Sequence, residues 1–189
     1  MATKPSFLGT LNAIANGERR GQELLCTWAS VTKDPEIKNI LNIVAIREGE
    51  HAWAFEKRMC ELGFSLQPRE DAKHAERMAC VKGDFSDAEK FVFLGFNREP
   101  KADEEDGLLK LLADRSIDPQ TGALLGRFIS EERDSGRLLL QACARAHALA
   151  GAKPASDRDH VLEQLCAQVA KLTEKVESLS KQGGLRAVG

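Results

Sequence analysis

The chain has 189 residues, of which 42% are apolar and 30% charged, and its formal net charge is −2 at pH 7. These values are ordinary for a globular protein, and no block of one charge sign indicates a nucleic-acid or membrane-surface partner. No stretch approaches the roughly 20 apolar residues of a membrane span. The sequence has no tyrosine, which excludes chemistry that needs a tyrosyl radical or a tyrosine acid.

The cysteines are widely spaced and include no CxxC pair. An odd number of separated cysteines indicates reduced thiols in a cytoplasmic protein. The start of the chain lacks the apolar core of a signal peptide, which favours the same location. Zinc bound by cysteines and rubredoxin-type iron are both disfavoured. The cysteines are Cys26, Cys60, Cys80, Cys143 and Cys166.

Two long amphipathic helices open the chain. Apolar spacings of three and four predict the first over residues 5–32 and the second over residues 35–62. Asp34 is expected to cap the second helix, with Pro35 at its first position and Gly63 at its end. A turn this short makes the two helices antiparallel neighbours.

The helical periodicity breaks between residues 63 and 100. This stretch is long enough to cross a helical bundle from end to end, and Ser86 or Asp87 can begin one short helix within it. A third bundle helix is predicted over residues 100–115 and a fourth over residues 119–150.

An internal repeat relates these helices. The Asp-Pro turn at 34–35 recurs at 118–119, and the pair Leu24-Leu25 falls on Leu108-Leu109 at the same offset. Two helical hairpins joined by a long crossover predict an all-α four-helix bundle over residues 1–150.

The C-terminal region is predicted to be a separate coiled-coil helix. A linker at 151–156 precedes the helix at 157–182, and a disordered tail follows at 183–189. Valine at the a positions and leucine at the d positions favour a parallel dimer, so a homodimer or higher homo-oligomer is expected. Packing of this helix on the bundle remains an alternative. The heptad residues are Leu162, Leu165, Val169, Leu172, Val176 and Leu179.

Three polar residues interrupt the apolar stripes of the first two helices. Glu48 and His51 take core positions in the second helix, and Glu18 takes one in the first. A buried carboxylate must be neutralised by a proton, a cation or a metal ion. Glu48 and His51 have the spacing E-x-x-H, which places both on one helix face, and such ligands suit iron or manganese. The alternative is that the carboxylates pair with nearby arginines, namely Arg19, Arg20 and Arg47.

These segments carry a family resemblance. LNAIANGERRGQELLCTWA and IREGEHAWAFEKR resemble the first two helices of the ferritin-like superfamily, especially its rubrerythrin-like branch. FISEERDSGRLL resembles the matching segment of the fourth helix. The likeness covers roughly residues 5–150. It implies a ferritin-like four-helix bundle with Glu18, Glu48 and His51 as metal ligands, in a di-iron or related manganese centre.

The fourth helix departs from the family pattern. The repeat matches Glu48 with Glu132, which becomes the candidate ligand, but Ser135 stands where the second histidine belongs. Counting from Glu131 instead places Asp134 there. The sequence is thus compatible with an asymmetric di-metal centre, a single-metal site or a decayed site.

The third helix has no carboxylate at the position where a metal ligand is expected. The repeat falls on Ala102, where the family has a glutamate. Glu105, one turn onward on the same face, is the preferred candidate ligand, and Glu104 is adjacent to it.

The resemblance implies an oxidoreductase that handles dioxygen or peroxide. Its electrons would come from an external redox partner, because the chain has no rubredoxin cysteines. The alternative is a non-catalytic scaffold or interaction protein that has lost part of the metal site. Iron storage in a ferritin-type shell is a further alternative, and a C-terminal coiled coil fits such a shell poorly.

Overall fold

The computed structural model describes residues 4–98 and 108–151. All regular structure in these ranges is helical, so the predicted all-α class is confirmed there, and no described helix is long and apolar enough to span a bilayer. The predicted linker beyond residue 151, the C-terminal helix and the tail lie outside the described residues. The elements are α1 (Leu8–Val31), α2 (Pro35–Glu61), α3 (His74–Lys82), α4 (Asp87–Leu94), a 3-10 helix (Leu109–Leu112) and α5 (Pro119–Gly151).

The first two helices form the predicted antiparallel hairpin. The side chain of Asp34 accepts hydrogen bonds from the backbone N–H groups of Glu36 and Ile37 at 3.1 and 2.9 Å. A cap of this kind stabilises a helix by about 1 kcal/mol. Pro35 begins α2, and Gly63 follows its end with φ 83°, a conformation that glycine adopts without strain. The turn chemistry of the sequence therefore fixed this hairpin locally.

The chain after α2 returns along α1 as an extended segment. Asn12 Oδ1 accepts a hydrogen bond from the backbone N–H of Gln67 at 2.7 Å, and Asn16 Oδ1 accepts one from Arg69 at 3.2 Å. Arg20 donates to the carbonyl of Arg69 at 2.8 Å. Two residues of the extended segment advance by about 6.6 Å and four residues of α1 by about 6 Å. Successive contacts between the segment and the helix therefore stay aligned. This segment performs the predicted crossover.

The predicted short helix in the crossover is present as α4. Ser86 and Glu89 form a reciprocal capping box at its start, and Gly95 ends it with φ 76°. Trp28 of α1 holds α4 in place, since its ring centroid lies 4.6 Å from that of Phe91 and its indole N–H donates to Asp87 at the start of α4.

The crossover contains a second helix, α3, which the sequence pattern did not predict. Only Met78, Cys80 and Val81 of its nine residues are buried. Three apolar residues among charged neighbours are too few to show a helical periodicity in the sequence. Contact with α1 stabilises this helix.

The third bundle helix differs from its prediction where it is described. Residues 99–107 lie outside the described ranges, and Leu109–Leu112 form a 3-10 turn instead of an α-helix that continues to Arg115. Asp114 accepts hydrogen bonds from the backbone N–H and the hydroxyl of Ser116 at 2.8 and 2.7 Å. A side chain that bonds its own neighbouring backbone competes with helix formation.

Helices α2 and α5 are joined at both ends by arginines that contact the capping aspartates. Arg145 of α5 binds Asp34 with two hydrogen bonds of 2.7 and 2.8 Å. Arg58 of α2 binds Asp118, the residue before α5, at 2.9 Å. Because the end of each helix lies at the start of the other, the two helices are antiparallel. This reciprocal arrangement agrees with the predicted repeat of the two Asp-Pro turns.

The core is divided into two apolar clusters with a polar layer between them. One cluster surrounds Trp28, Leu41 and Ala142, and the other surrounds Leu11 and Phe55. The residues between these clusters, on α1, α2 and α5, include the buried polar side chains Glu18, His51 and Ser135. The predicted ligands therefore lie at mid-height among three long helices.

Candidate metal centre

His51 lies at the centre of the polar layer and is 2% exposed. Its Nδ1 is 3.0 Å from Glu18 Oε2 on α1, and its Nε2 is 2.7 Å from Glu131 Oε2 on α5. Its ring also packs edge-on against Phe128, with 5.1 Å between the centroids. The imidazole is thus held from both sides by carboxylates and fixed in orientation by an aromatic neighbour.

Glu18 and Glu48 form a pair of acidic groups beside His51. Burial raises the pKa of Glu18, and the nearby Glu132 carboxylate adds to the increase, while the hydrogen bond to His51 opposes it. Burial likewise raises the pKa of Glu48 to about 9, helped by the negative charges of Glu18 and Glu132. Glu48 is therefore protonated at neutral pH and shares its proton with Glu18.

The surrounding carboxylates hold His51 in its charged form. Burial alone would lower the pKa of His51, but the carboxylates of Glu132, Glu18 and Glu131 outweigh burial and raise the pKa to about 10. Partial burial raises the pKa of Glu131, yet hydrogen bonds from His51 and Arg127 leave it below its usual value. Without a bound metal, protons on His51 and Glu48 therefore reduce the negative charge of the cluster.

Glu132 completes the arrangement from α5. Its Oε1 lies 3.6 Å from His51 Nδ1, beyond hydrogen-bond distance, and this buried oxygen has no hydrogen-bond partner. Potential ligand atoms of Glu18, His51 and Glu132 all lie within 4.8 Å of one another. The predicted ligands Glu18, His51 and Glu132 are brought together from three helices, and Glu48 adjoins them.

Two glycines allow α1 and α2 to approach closely beside the cluster. A Cβ atom on Gly21 would lie 2.3 Å from Glu48 Oε2, and one on Gly49 would lie 2.2 Å from Gln22 Nε2. Each glycine therefore accommodates a polar side chain of the opposite helix. Gly21 is what lets the Glu48 carboxyl group lie inside the hairpin.

Among the described residues, the arginines of the alternative interpretation pair with carboxylates other than those of Glu18 and Glu48. Arg19 pairs with Glu56 at 2.5 Å, and the Arg20 side chain lies 3.7 Å from Asp71. Arg47 extends toward α5, as described below. Among the described residues, the negative charge of Glu18 and Glu48 is thus reduced by protons and not by an arginine on α1 or α2.

The part of the expected site on α5 lacks the histidine of the family pattern. Ser135, which stands at the second histidine position, is buried, and its hydroxyl accepts a 3.4 Å hydrogen bond from Arg47. The same Arg47 nitrogen lies 2.6 Å from Asp134 Oδ2. The expected ligand Glu105 lies outside the described residues.

The contact of Glu131 with His51 was not predicted from the sequence. The repeat matched Glu132, and not Glu131, with Glu48. Glu131 was considered only as a second starting point for the E-x-x-H spacing. Adjacent residues on a helix point about 100° apart, so both reach His51 only because the ring lies between their directions. No pattern in the sequence carries that information, although the unusual pair of adjacent glutamates on a core-facing stripe was a partial signal.

Comparisons with protein-family models, with curated proteins and with solved structures find no match to this chain.

Proposed function

We propose that the polar layer binds a divalent iron or manganese ion and that the chain is a ferritin-like metal protein that handles dioxygen or peroxide. The observation that supports this proposal most strongly is the buried Glu132 Oε1. It has no hydrogen-bond partner, and Glu132 offers a ligand atom within 4.8 Å of those of Glu18 and His51. An unsatisfied buried carboxylate oxygen is costly, and the His51 imidazolium at 3.6 Å lies too far away to donate a hydrogen bond to it, so a metal ion would give this oxygen a closer partner.

The donor set fits the proposed ion. Glu18 and Glu132 supply hard oxygen ligands and His51 supplies one imidazole nitrogen, a combination that suits iron or manganese. The two carboxylates balance the charge of a divalent ion. Glu48 could serve as a third carboxylate ligand after losing its proton.

Glu131 would act on the histidine and not on the metal. An N–H at Nε2 of His51 donates to Glu131 at 2.7 Å, which leaves Nδ1 facing Glu18 and Glu132. Carboxylates in this role fix the orientation and tautomer of a ligating histidine. Metal binding must displace the proton on Nδ1, so affinity is expected to rise with pH.

A redox-active ion held by Glu18, His51 and Glu132 would supply the capacity to bind and reduce dioxygen or peroxide. The protein surroundings would contribute a proton close to the ion, on Glu48, and apolar clusters on either side that exclude water. Electrons would come from a separate donor, as the family resemblance implies. These features support an oxidoreductase role.

Iron binding by a matched pair of variants tests the proposal. Wild-type protein is loaded with ferrous iron without oxygen, and bound iron is measured after gel filtration. The near-ultraviolet absorbance is then recorded on exposure to air. Glu132→Gln should bind iron at least tenfold more weakly, since even groups behind the ligands contribute that much.

The control variant is Glu56→Gln, which removes an equal charge from α2. Glu56 pairs with Arg19 near the surface, so its replacement should leave iron binding unchanged. Equal iron binding by Glu132→Gln, by the control and by wild type would contradict the proposal. Reductant-dependent consumption of peroxide by the loaded protein then tests the oxidoreductase role.

A non-catalytic scaffold is the second candidate function. It is favoured by Ser135 at the second histidine position and by the protons on His51 and Glu48, which reduce the charge of the cluster without a metal ion. For a scaffold, no specific iron binding is expected and Glu132→Gln should affect only stability. A shell for iron storage is tested by particle size, because a dimer-sized species is too small to be a shell.

A further inference from the structure

We propose that the site holds a single metal ion and that the guanidinium of Arg47 occupies the place of a second one. This inference rests on the proposed function and specifies the number of metal ions bound per chain. It concerns the side of the polar layer that faces Asp134 and Ser135. The first ion would lie on the other side, between His51 Nδ1, Glu18 and Glu132.

Both candidate positions for the missing ligand contact Arg47. In one register of the repeat the second histidine position holds Ser135, whose hydroxyl accepts a 3.4 Å hydrogen bond from Arg47 Nη1. In the other register it holds Asp134, whose Oδ2 lies 2.6 Å from the same nitrogen. A side chain that would ligate a second ion is therefore already bound to a cation, whichever register is chosen.

The guanidinium is a permanent charge. Arginine is not deprotonated in proteins, so Arg47 cannot become neutral to admit a metal ion beside it. Its Nη1 reaches Ser135, which is 3% exposed, and a divalent ion at that depth would be repelled by it at short range. The serine hydroxyl is also a poor ligand for a hard divalent cation.

The opposite side of the layer presents ligand atoms. Glu18 and Glu132 meet the His51 imidazole there, and potential ligand atoms of the three residues lie within 4.8 Å of one another. The two sides thus differ in the groups that they offer to a metal ion. One side presents carboxylates and an imidazole, and the other presents the Arg47 guanidinium.

Metal stoichiometry tests this inference. Metal-free protein is titrated with manganese(II), bound ions per chain are counted after gel filtration, and the electron paramagnetic resonance spectrum is recorded. One ion per chain with the hyperfine pattern of an isolated ion is expected. Two ions per chain with a magnetically coupled spectrum would overturn the inference while leaving the proposed function intact. No specific binding would overturn both.

A double variant tests the role of Arg47 directly. Arg47→Gln/Ser135→His removes the fixed cation and supplies the missing imidazole, and its stoichiometry should rise from one ion to two. The matched control is Arg137→Gln/Ser135→His. Arg137 also contacts Asp134 but its side chain is 69% exposed and does not reach Ser135. The control should stay at one ion.

The variants also separate the inference from misfolding. Helical circular dichroism and its thermal midpoint are measured for each protein, and only folded variants are compared. A folded Arg47→Gln/Ser135→His protein that still binds one ion shows that Arg47 does not set the stoichiometry. A control that binds two ions shows the same.

Discussion

Gly21→Ala should separate the stability of the fold from the function of the site. Alanine is favoured over glycine in a helix interior by about 1 kcal/mol, so the replacement alone would stabilise α1. At this position, however, the new Cβ would lie 2.3 Å from Glu48 Oε2 and 2.9 Å from Glu48 Cδ. Glutamate is flexible, so we expect its carboxyl group to move out of the hairpin while the helices stay in place.

The expected magnitudes follow from that movement. Loss of the hydrogen bond between Glu48 and Glu18 costs about 1 kcal/mol and offsets most of the gain in helix propensity. Loss of a carboxylate beside the metal should weaken iron or manganese binding about 10- to 100-fold, the range measured for groups that support metal ligands. Stability should therefore remain near that of wild type while metal affinity falls.

Gly17→Ala provides the control one turn earlier on the same helix. A Cβ atom at Gly17 has no neighbour within 4 Å. This variant should gain the full stabilisation of about 1 kcal/mol by which alanine exceeds glycine in a helix, which corresponds to a rise of about 2–4 °C in Tm for a chain of this size. Its metal affinity should equal that of wild type. Thermal denaturation and metal titration of both variants are the assays. Equal stabilisation and equal metal affinity in the two variants would refute the assigned position of Glu48.

Three further predictions concern other parts of the chain. Arg58→Met should destabilise the protein by about 2–3 kcal/mol in urea denaturation, because Asp118 and Thr121 lose a charged hydrogen-bond donor. The control Arg77→Met replaces an exposed arginine and should change stability little. Equal effects of the two variants would contradict the role given to Arg58. Bonds from Arg145 and the α2 backbone lower the pKa of Asp34 to about 2. Its contribution is therefore complete above its unfolded pKa of about 3.9 and is lost as pH falls toward 2, so Asp34→Asn should flatten the acid limb of the stability profile measured by circular dichroism. Deletion of residues 157–189 should reduce the oligomer to a monomer in light scattering if the predicted coiled coil associates, and an unchanged mass would refute that association.

The local parts of the fold were predictable from the sequence. The hairpin of α1 and α2 follows from Asp34-Pro35 and two amphipathic stripes, and α5 starts at Asp118-Pro119 as predicted. The short helix α4 follows from its capping residue Ser86. In each case a few neighbouring residues determine the backbone, so no distant contact is needed to recognise the element.

Other elements depended on distant contacts. Helix α3 has only three buried residues and is stabilised by packing on α1. The predicted helix up to Arg115 is replaced, where described, by a 3-10 turn in which Asp114 bonds Ser116. Periodicity reports which residues could face a core, and it does not report competition between such local bonds and the helix.

The candidate site divides in the same way. The sequence by itself determined that Glu18, Glu48, His51 and Glu132 lie on core-facing stripes, because helical phase is a local property. Only the tertiary structure decided that Glu131 reaches the far side of His51 and that Arg47 contacts Ser135 and Asp134 on α5. Those contacts depend on the angle and distance between α2 and α5, which packing sets and sequence spacing does not encode.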